Sequence, residues 1–257
     1  MFKYLVFVII ILLNACSGNK DESSYRERSL DKIYNNALDQ LMSGDYDEAS
    51  KEFDEVERQH PYSVWSRKAV ILSAYSRYIR NEYELAIDSL NRYIELYPAS
   101  NDIPYAYYLI ALCYYEQIID TKRDQTQSLL AYDALKEVVN RFPDSDYSRD
   151  SIYKIQLVED HLAGKEMEVG RTYLSLKQYL AAALRFKKVI KDYDTTSHTP
   201  EALARMIEIY IILGVKKEVI TNSSVLSYNF PDSEWYEYAY KLLKKNRLIP
   251  KKKSKLN

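Results

Sequence analysis

From Leu30 onward, apolar residues fall at the spacing of one face of an α-helix, and the segments they define come in pairs. Gly44-Asp45-Tyr46-Asp47-Glu48-Ala49 is followed by Asn81-Glu82-Tyr83-Glu84-Leu85-Ala86, with the two alanines 37 residues apart. Pro61 and Pro98 are separated by the same 37 residues. Gln178-Tyr179-Leu180-Ala181-Ala182 repeats the turn farther on. Pro231 lies 37 residues after Asp194, which stands where that unit would have its proline. A fixed period of this size marks an array of supersecondary units, each a helix–turn–helix.

Each recurring position has a mechanical reason. Ala49, Ala86, Ala131 and Ala182 are small where the second helix of a unit must approach the first. Phe53, Leu90, Leu135 and Phe186 lie four residues on, one turn along the same face, and fill the seam. Pro61, Pro98, Pro143 and Pro231 end the second helix, because proline lacks an N–H and restricts the residue before it. The pattern resembles the tetratricopeptide repeat and predicts an all-α superhelix. About five units are readable, near 30–63, 67–100, 104–144, 147–195 and 200–233. No unit can bury its apolar face alone, so neighbours stack and leave a concave surface.

Two irregularities break the period. In the third unit Ala111 and Ala131 are 20 apart, against roughly 12 in a regular unit. The excess predicts a polar insertion at Ile118–Ser128, containing Lys122-Arg123-Asp124-Gln125. The stretch Tyr147–Leu176 then has no proline and two interior glycines, Gly164 and Gly170. Each glycine costs about 1 kcal/mol against alanine in a helix, which weakens but does not forbid one continuous helix. At about 1.5 Å per residue that helix would span roughly 45 Å. It would join an N-terminal block of three units, 30–144, to a C-terminal block of two, 145–243.

Ahead of the array the pattern changes. Met1-Phe2-Lys3 is a short basic start, and Tyr4–Leu13 is an apolar run of ten residues. A membrane-spanning helix needs about 20, so residues 1–15 read as a signal peptide. Leu13-Asn14-Ala15-Cys16 resembles the lipobox of bacterial lipoproteins, which predicts cleavage before Cys16 and lipidation of its thiol. Ser17 stands where an aspartate commonly retains such proteins in the inner membrane, so outer-membrane sorting is expected. Residues 16–29 are polar and form a tether. At the far end, 244–257 is a basic tail, either solvated or in contact with anionic headgroups.

Composition narrows the function. Thirty-six basic and 37 acidic residues give a net charge of −1, without the basic footprint of a nucleic-acid binder. Cys16 and Cys113 are the only cysteines, which excludes a disulfide framework. Cys113, within the apolar run Tyr105–Tyr115, reads as a small buried thiol. His60, His161 and His198 lack metal-ligand spacing, and no phosphate loop or catalytic constellation is present. The sequence therefore predicts no enzyme, no cofactor and no metal. Tyrosine, at 26 residues, supplies large apolar area with a polar tip, which suits seams and low-specificity peptide binding.

Several stretches go beyond a generic repeat: His60-Pro61-Tyr62-Ser63, Arg92-Tyr93-Ile94-Glu95-Leu96-Tyr97-Pro98, Tyr105-Ala106-Tyr107-Tyr108, Arg123-Asp124-Gln125, Leu162-Ala163-Gly164-Lys165-Glu166-Met167, Ala182-Ala183-Leu184-Arg185-Phe186 and Asn229-Phe230-Pro231-Asp232-Ser233-Glu234-Trp235-Tyr236. They resemble the BamD family, lipoproteins of the outer-membrane β-barrel assembly machinery, from the lipobox through Leu243. The resemblance implies a scaffold anchored to the outer membrane and facing the periplasm. It would bind the barrel protein BamA and other assembly lipoproteins, and help fold and insert outer-membrane β-barrels. Arg185 occupies the position of the family's BamA-docking arginine. Tyr62, Tyr75, Tyr78, Tyr105 and Tyr108 border the pocket held to receive unfolded clients.

Two departures are His60, where many members have tyrosine, and an insertion shorter than in some relatives, which bears on contacts with the accessory lipoprotein BamC. At 100° per residue Arg185 falls about 60° from Ala182, so its guanidinium is expected to be accessible, with Lys188 on the rim. Two other readings stay open: another repeat lipoprotein, such as a pilus-secretin pilot or an envelope-division coordinator, and a cell-wall hydrolase.

Overall fold

The computed structural model describes residues 27–121 and 123–249. The expected signal segment 1–15, Cys16 and most of the tether, Lys122, and residues 250–257 of the basic tail lie outside them. The described residues form eleven α-helices and no strands: α1 (Leu30–Ser43), α2 (Tyr46–Gln59), α3 (Val64–Ile79), α4 (Tyr83–Leu96), α5 (Ile103–Tyr115), α6 (Thr126–Arg141), α7 (Asp146–Ser175), α8 (Tyr179–Asp192), α9 (Thr199–Leu213), α10 (Lys216–Asn229) and α11 (Glu234–Lys245). Each helix from α1 to α9 packs on the next in the chain, α11 rests mainly on α9, and α1, α3, α5 and α7 also touch in succession as one layer. Five helix pairs correspond to the five units. The eleventh helix has no counterpart among them, because its own second helix, which would have revealed a unit, is not legible in the chain.

Proline and serine punctuate the joints. α2, α4, α6 and α10 each stop two residues before Pro61, Pro98, Pro143 or Pro231. The intervening His60, Tyr97, Phe142 and Phe230 take nearly one conformation, with φ of −131°, −130°, −132° and −135°, as the residue before a proline must leave the helical region. Tyr193 holds φ −138° ahead of Asp194, so packing of the array imposes the bend even without a proline. Two residues past the proline, Ser63, Ser145 and Ser233 accept hydrogen bonds from the backbone N–H groups of Ser66, Ser148 and Tyr236 at 3.0–3.1 Å. These caps satisfy donors that the first turn of a helix leaves unpaired.

The seam positions are sealed as the period requires. Ala49, Ala86, Ala131 and Ala182, and Phe53, Leu90, Leu135 and Phe186, all have 0% exposure. Cys113 is buried and free, and burial pushes its thiol up to about 12. The insertion is displaced from its expected position: α5 ends at Tyr115 and α6 begins at Thr126, so the connection is residues 116–125 and Ser128 lies buried inside α6. The polar residues at its end bond one another and the start of α6. Asp124 accepts from the Thr126 N–H at 3.3 Å, and the Gln125 amide donates to the Arg123 carbonyl at 3.0 Å and accepts from the Ser128 hydroxyl at 3.1 Å.

The long helix is present as α7, 30 residues without a break. One of its glycines is required by packing: a Cβ on Gly170 would lie 2.6 Å from Cε1 of Phe186, a ring fully buried and unable to yield. A Cβ on Gly164 would meet two side chains, the edge of the His198 ring at 3.2 Å and the Thr121 methyl at 3.4 Å. Gly170→Ala should therefore destabilise the protein by about 1–3 kcal/mol through overpacking, although alanine is intrinsically the better helix former. Gly164→Ala should be neutral or stabilising by up to about 1 kcal/mol. Urea melts of the two variants decide the matter, and equal midpoints would contradict this register of α7 on α8.

Candidate functional site

Four of the five tyrosines singled out in the sequence converge on the layer of first helices. Tyr75 and Tyr78 lie three apart on α3, and Tyr105 and Tyr108 three apart on α5, so each pair shares a helix face. Tyr75 and Tyr78 rings are 6.4 Å apart. Two tyrosines not foreseen complete the cluster. Tyr83 at the start of α4 lies 6.0 Å from Tyr78, and Tyr147 in the first turn of α7 lies 5.5 Å from Tyr105 and stacks on Tyr108 at 5.2 Å. Tyr62 does not join them. It stands fully exposed on the turn between α2 and α3.

Carboxylates hold the phenols. Tyr78 donates to Glu116 at 3.2 Å, and Tyr108 donates to Asp150. Asp150 also pairs with Lys154 at 3.2 Å, and that ammonium lies 5.3 Å above the Tyr115 ring. Burial, reinforced by the neighbouring negative charge, holds both hydroxyls well above the ordinary phenol range, and burial pushes Tyr105 up to about 12. The hydrogen bond from Tyr108 is also the main influence holding Asp150 below the usual carboxylate range. At neutral pH Tyr78 and Tyr108 are thus uncharged donors, fixed in place, with half-exposed faces. Beyond Glu116 the wall continues into a pocket lined by Ile118, Leu157 and His161.

Arg185 lies on α8, where its guanidinium is accessible and at the same time engaged within the chain. It donates to Glu166 of α7 at 3.0 Å, while Lys188 donates to the other oxygen of the same carboxylate at 2.7 Å. Glu166 is buried. Burial alone would raise its pKa, but Lys188 and Arg185 outweigh that and hold the carboxyl below its usual value. The Arg185 side chain is 42% exposed, and Lys188 is part of the clamp instead of an independent rim residue. Beside them on α8 stand Leu180 and Leu184, one turn apart and 72% and 70% exposed, with Leu176, 60% exposed, at the end of α7.

Comparison with known proteins gives a consistent picture. The outer-membrane lipoprotein family YfiO matches residues 26–226. The chain is 47% identical over 237 residues to the outer membrane protein assembly factor BamD of Caulobacter vibrioides, covering 91% of this chain and 78% of that one. It is 43% identical to the BamD of Rickettsia prowazekii, covering 93% and 95%, and 31% identical to one from Neisseria meningitidis, covering 93% and 96%. Among solved structures, the TPR2AB domain of yeast Sti1 aligns over 84% of each chain at 15% identity and a TM-score of 0.43.

The clamp on Glu166 has measurable consequences. Arg185→Glu sets a second carboxylate against a buried one and should cost on the order of 1–3 kcal/mol, with the lower end expected because Arg185 is partly exposed and screened by solvent. Arg185→Ala should cost less, since Lys188 remains. Because the folded carboxyl titrates below its unfolded value of 4.5, its contribution is complete above that pH and is lost as pH falls through the folded value. Glu166→Gln should accordingly flatten the stability profile below about pH 4.5. Melts of these variants between pH 3 and 7 check both statements.

Proposed function

The chain belongs to the family of outer-membrane lipoproteins that includes the BamD assembly factors, and from that premise we propose that it is a non-enzymatic scaffold in outer-membrane protein assembly. Cys16 anchors it by acyl chains to the outer membrane, with the repeats facing the periplasm. A BamA-like barrel protein docks on α8 around Arg185, other assembly lipoproteins join the complex, and unfolded barrel clients pass over the tyrosine wall.

The observation that carries this reading is the wall itself. Phenol rings from α3, α4, α5 and α7 are assembled on one surface, with the hydroxyls of Tyr78, Tyr83 and Tyr108 restrained and the faces only half covered. Such a surface stacks on aromatic and apolar side chains at low entropy cost, because the rings are already ordered. Contacts of this kind are tolerant of sequence, which a carrier of many different strands requires. At the other block, the exposed leucine stripe beside Arg185 supports docking: an apolar centre with charge at its edge is the usual anatomy of a protein interface. Arg185 keeps exposed area while bound to Glu166, and arginine has donors to spare for a second carboxylate.

Binding of a fluorescent peptide copied from one strand of an unfolded outer-membrane barrel protein tests the wall. Tyr105→Ala combined with Tyr108→Ala should weaken it at least about tenfold, equivalent to about 1.4 kcal/mol, while Tyr108→Phe should bind nearly as wild type. Equal affinity of the double variant and wild type would remove the wall from client binding. For docking, Leu184→Glu should leave the melt unchanged and raise the rate of dissociation from the purified periplasmic domains of the BamA-like partner. An unchanged rate would remove α8 from that interface.

A further inference from the structure

One backbone turn recurs inside the units. Gly44, Asn81, Lys177 and Gly214 take left-handed φ values of 85°, 62°, 59° and 74°. The N–H of the next residue returns to the carbonyl five residues back, at 2.9–3.0 Å, the arrangement of a Schellman cap. The second helix then begins two residues after the left-handed one, at Tyr46, Tyr83, Tyr179 and Lys216. After α11 the chain makes this turn once more: Arg247 has φ 56°, and the Leu248 N–H meets the Leu243 carbonyl at 3.0 Å. By this register α11 is the first helix of a sixth unit, and Ile249 stands where its second helix would start.

The side of α11 that would face that helix is open. Seven residues before the left-handed residue, the complete units place Ala37, Ala74, Gly170 and Ile207, all buried against their own second helix. The corresponding residue of α11 is Tyr240, which is 45% exposed. α11 leans on α9 and barely touches α10. Between α10 and α11 lies a groove of about 240 Å³ that includes Ile220, Ser223, Ser227, Tyr240 and Leu243. Lys216, Lys217, Lys244, Lys245 and Arg247 stand exposed around it, and none is in an ion pair among the described residues.

The next residues of the chain are ill suited to the seat. In register, Lys252 falls where the earlier units have Ala49, Ala86, Ala182 and Val219, positions sealed in the core, and a lysine is almost never buried unpaired. We propose that the groove is a docking site for an acidic amphipathic helix of another protein, which completes the sixth unit in trans. The seat asks for a small residue at the crossing and an apolar one a turn later, as in α2, α4, α6 and α8. The basic rim selects aspartate and glutamate on the flanks, and helix-in-groove binding of this kind is read by anchors at one-turn spacing.

A helix-stabilised peptide with the sequence of residues 46–59 is a suitable probe, because it is a second helix with Ala49 and Phe53 on one face and six carboxylates elsewhere. Binding to the full chain, followed by fluorescence anisotropy, should saturate and weaken severalfold as salt rises from about 0.05 to 0.3 M. Ile220→Glu, at an exposed position, should weaken it at least tenfold without shifting the melt. A peptide with its acidic residues changed to lysine should not bind. Absence of saturable binding, or binding indifferent to Ile220→Glu, overturns the proposal. Self-association of the unliganded chain that Ile220→Glu abolishes would make a second copy the occupant, and capture on anionic phospholipid vesicles abolished by the same change would make it a lipid surface. Either result replaces the acidic helix and overturns the proposal as well.

Discussion

Two helices can lie close along their length only where nothing bulky stands between them, and this chain meets that condition with an alanine in each of its first four units. Ala49, Ala86, Ala131 and Ala182 are all sealed at the crossing, and the large side chain one turn later occupies the space the small one leaves. In the fourth unit the approach is closer still: Phe186 lies so near α7 that only a glycine fits opposite it, at Gly170. Interiors are packed as tightly as organic crystals, so such contacts transmit position with little slack. The angle at each crossing sets how the next unit is placed. The tyrosines of α3, α5 and α7 therefore reach a common surface through contacts made on the opposite sides of their helices.

Charge fixes what packing leaves free. Carboxylates, two of them buried, bridge neighbouring helices at several levels. Asp54 holds Arg77, whose other arm donates to Ser89 at 2.8 Å. Glu166 is gripped by Arg185 and Lys188, and Glu201 by Arg171 and Arg205. Arg205 continues the chain to Glu208 and lies 5.2 Å and 5.4 Å above the rings of Trp235 and Tyr238 on α11. Such pairs add little net stability over apolar residues of equal volume, because desolvation offsets attraction, but breaking one is costly. Their effect is to penalise any sliding of one helix on the next.

The periodic part of this design is legible in the sequence because each unit carries its own signals. The alanine, the filler and the proline of a unit fall within a short window, and the unbroken α7 follows from the lack of proline after residue 146. Contacts between units leave no such trace. The pairing of Arg185 with Glu166 spans 19 residues and two helices, so helical geometry alone gives the accessibility of Arg185 but not its partner. Tyr147 meets Tyr105 across 42 residues, and Tyr62, close to a unit boundary in the sequence, points away from the cluster. The first turn of α6 is as polar as the loop before it, so composition alone does not mark the end of the insertion. Gly170 shows the same limit from the other side: its helix penalty is visible in the sequence, whereas the ring that requires it is not.

The continuity of α7 makes length and direction inseparable in this molecule. At every other joint a residue gained or lost is absorbed by a turn. Within α7 each added residue rotates everything beyond it by about 100° while advancing it by only about 1.5 Å. An insertion of one or two residues would swing the face bearing Leu180 and Leu184 to a different compass bearing relative to the phenol wall. Seven residues, close to two full turns, would separate the two surfaces by roughly 10 Å and leave them nearly in phase. Drift in the size of this protein is therefore expected to accumulate in the 116–125 connection and at the ends, where it has no angular effect.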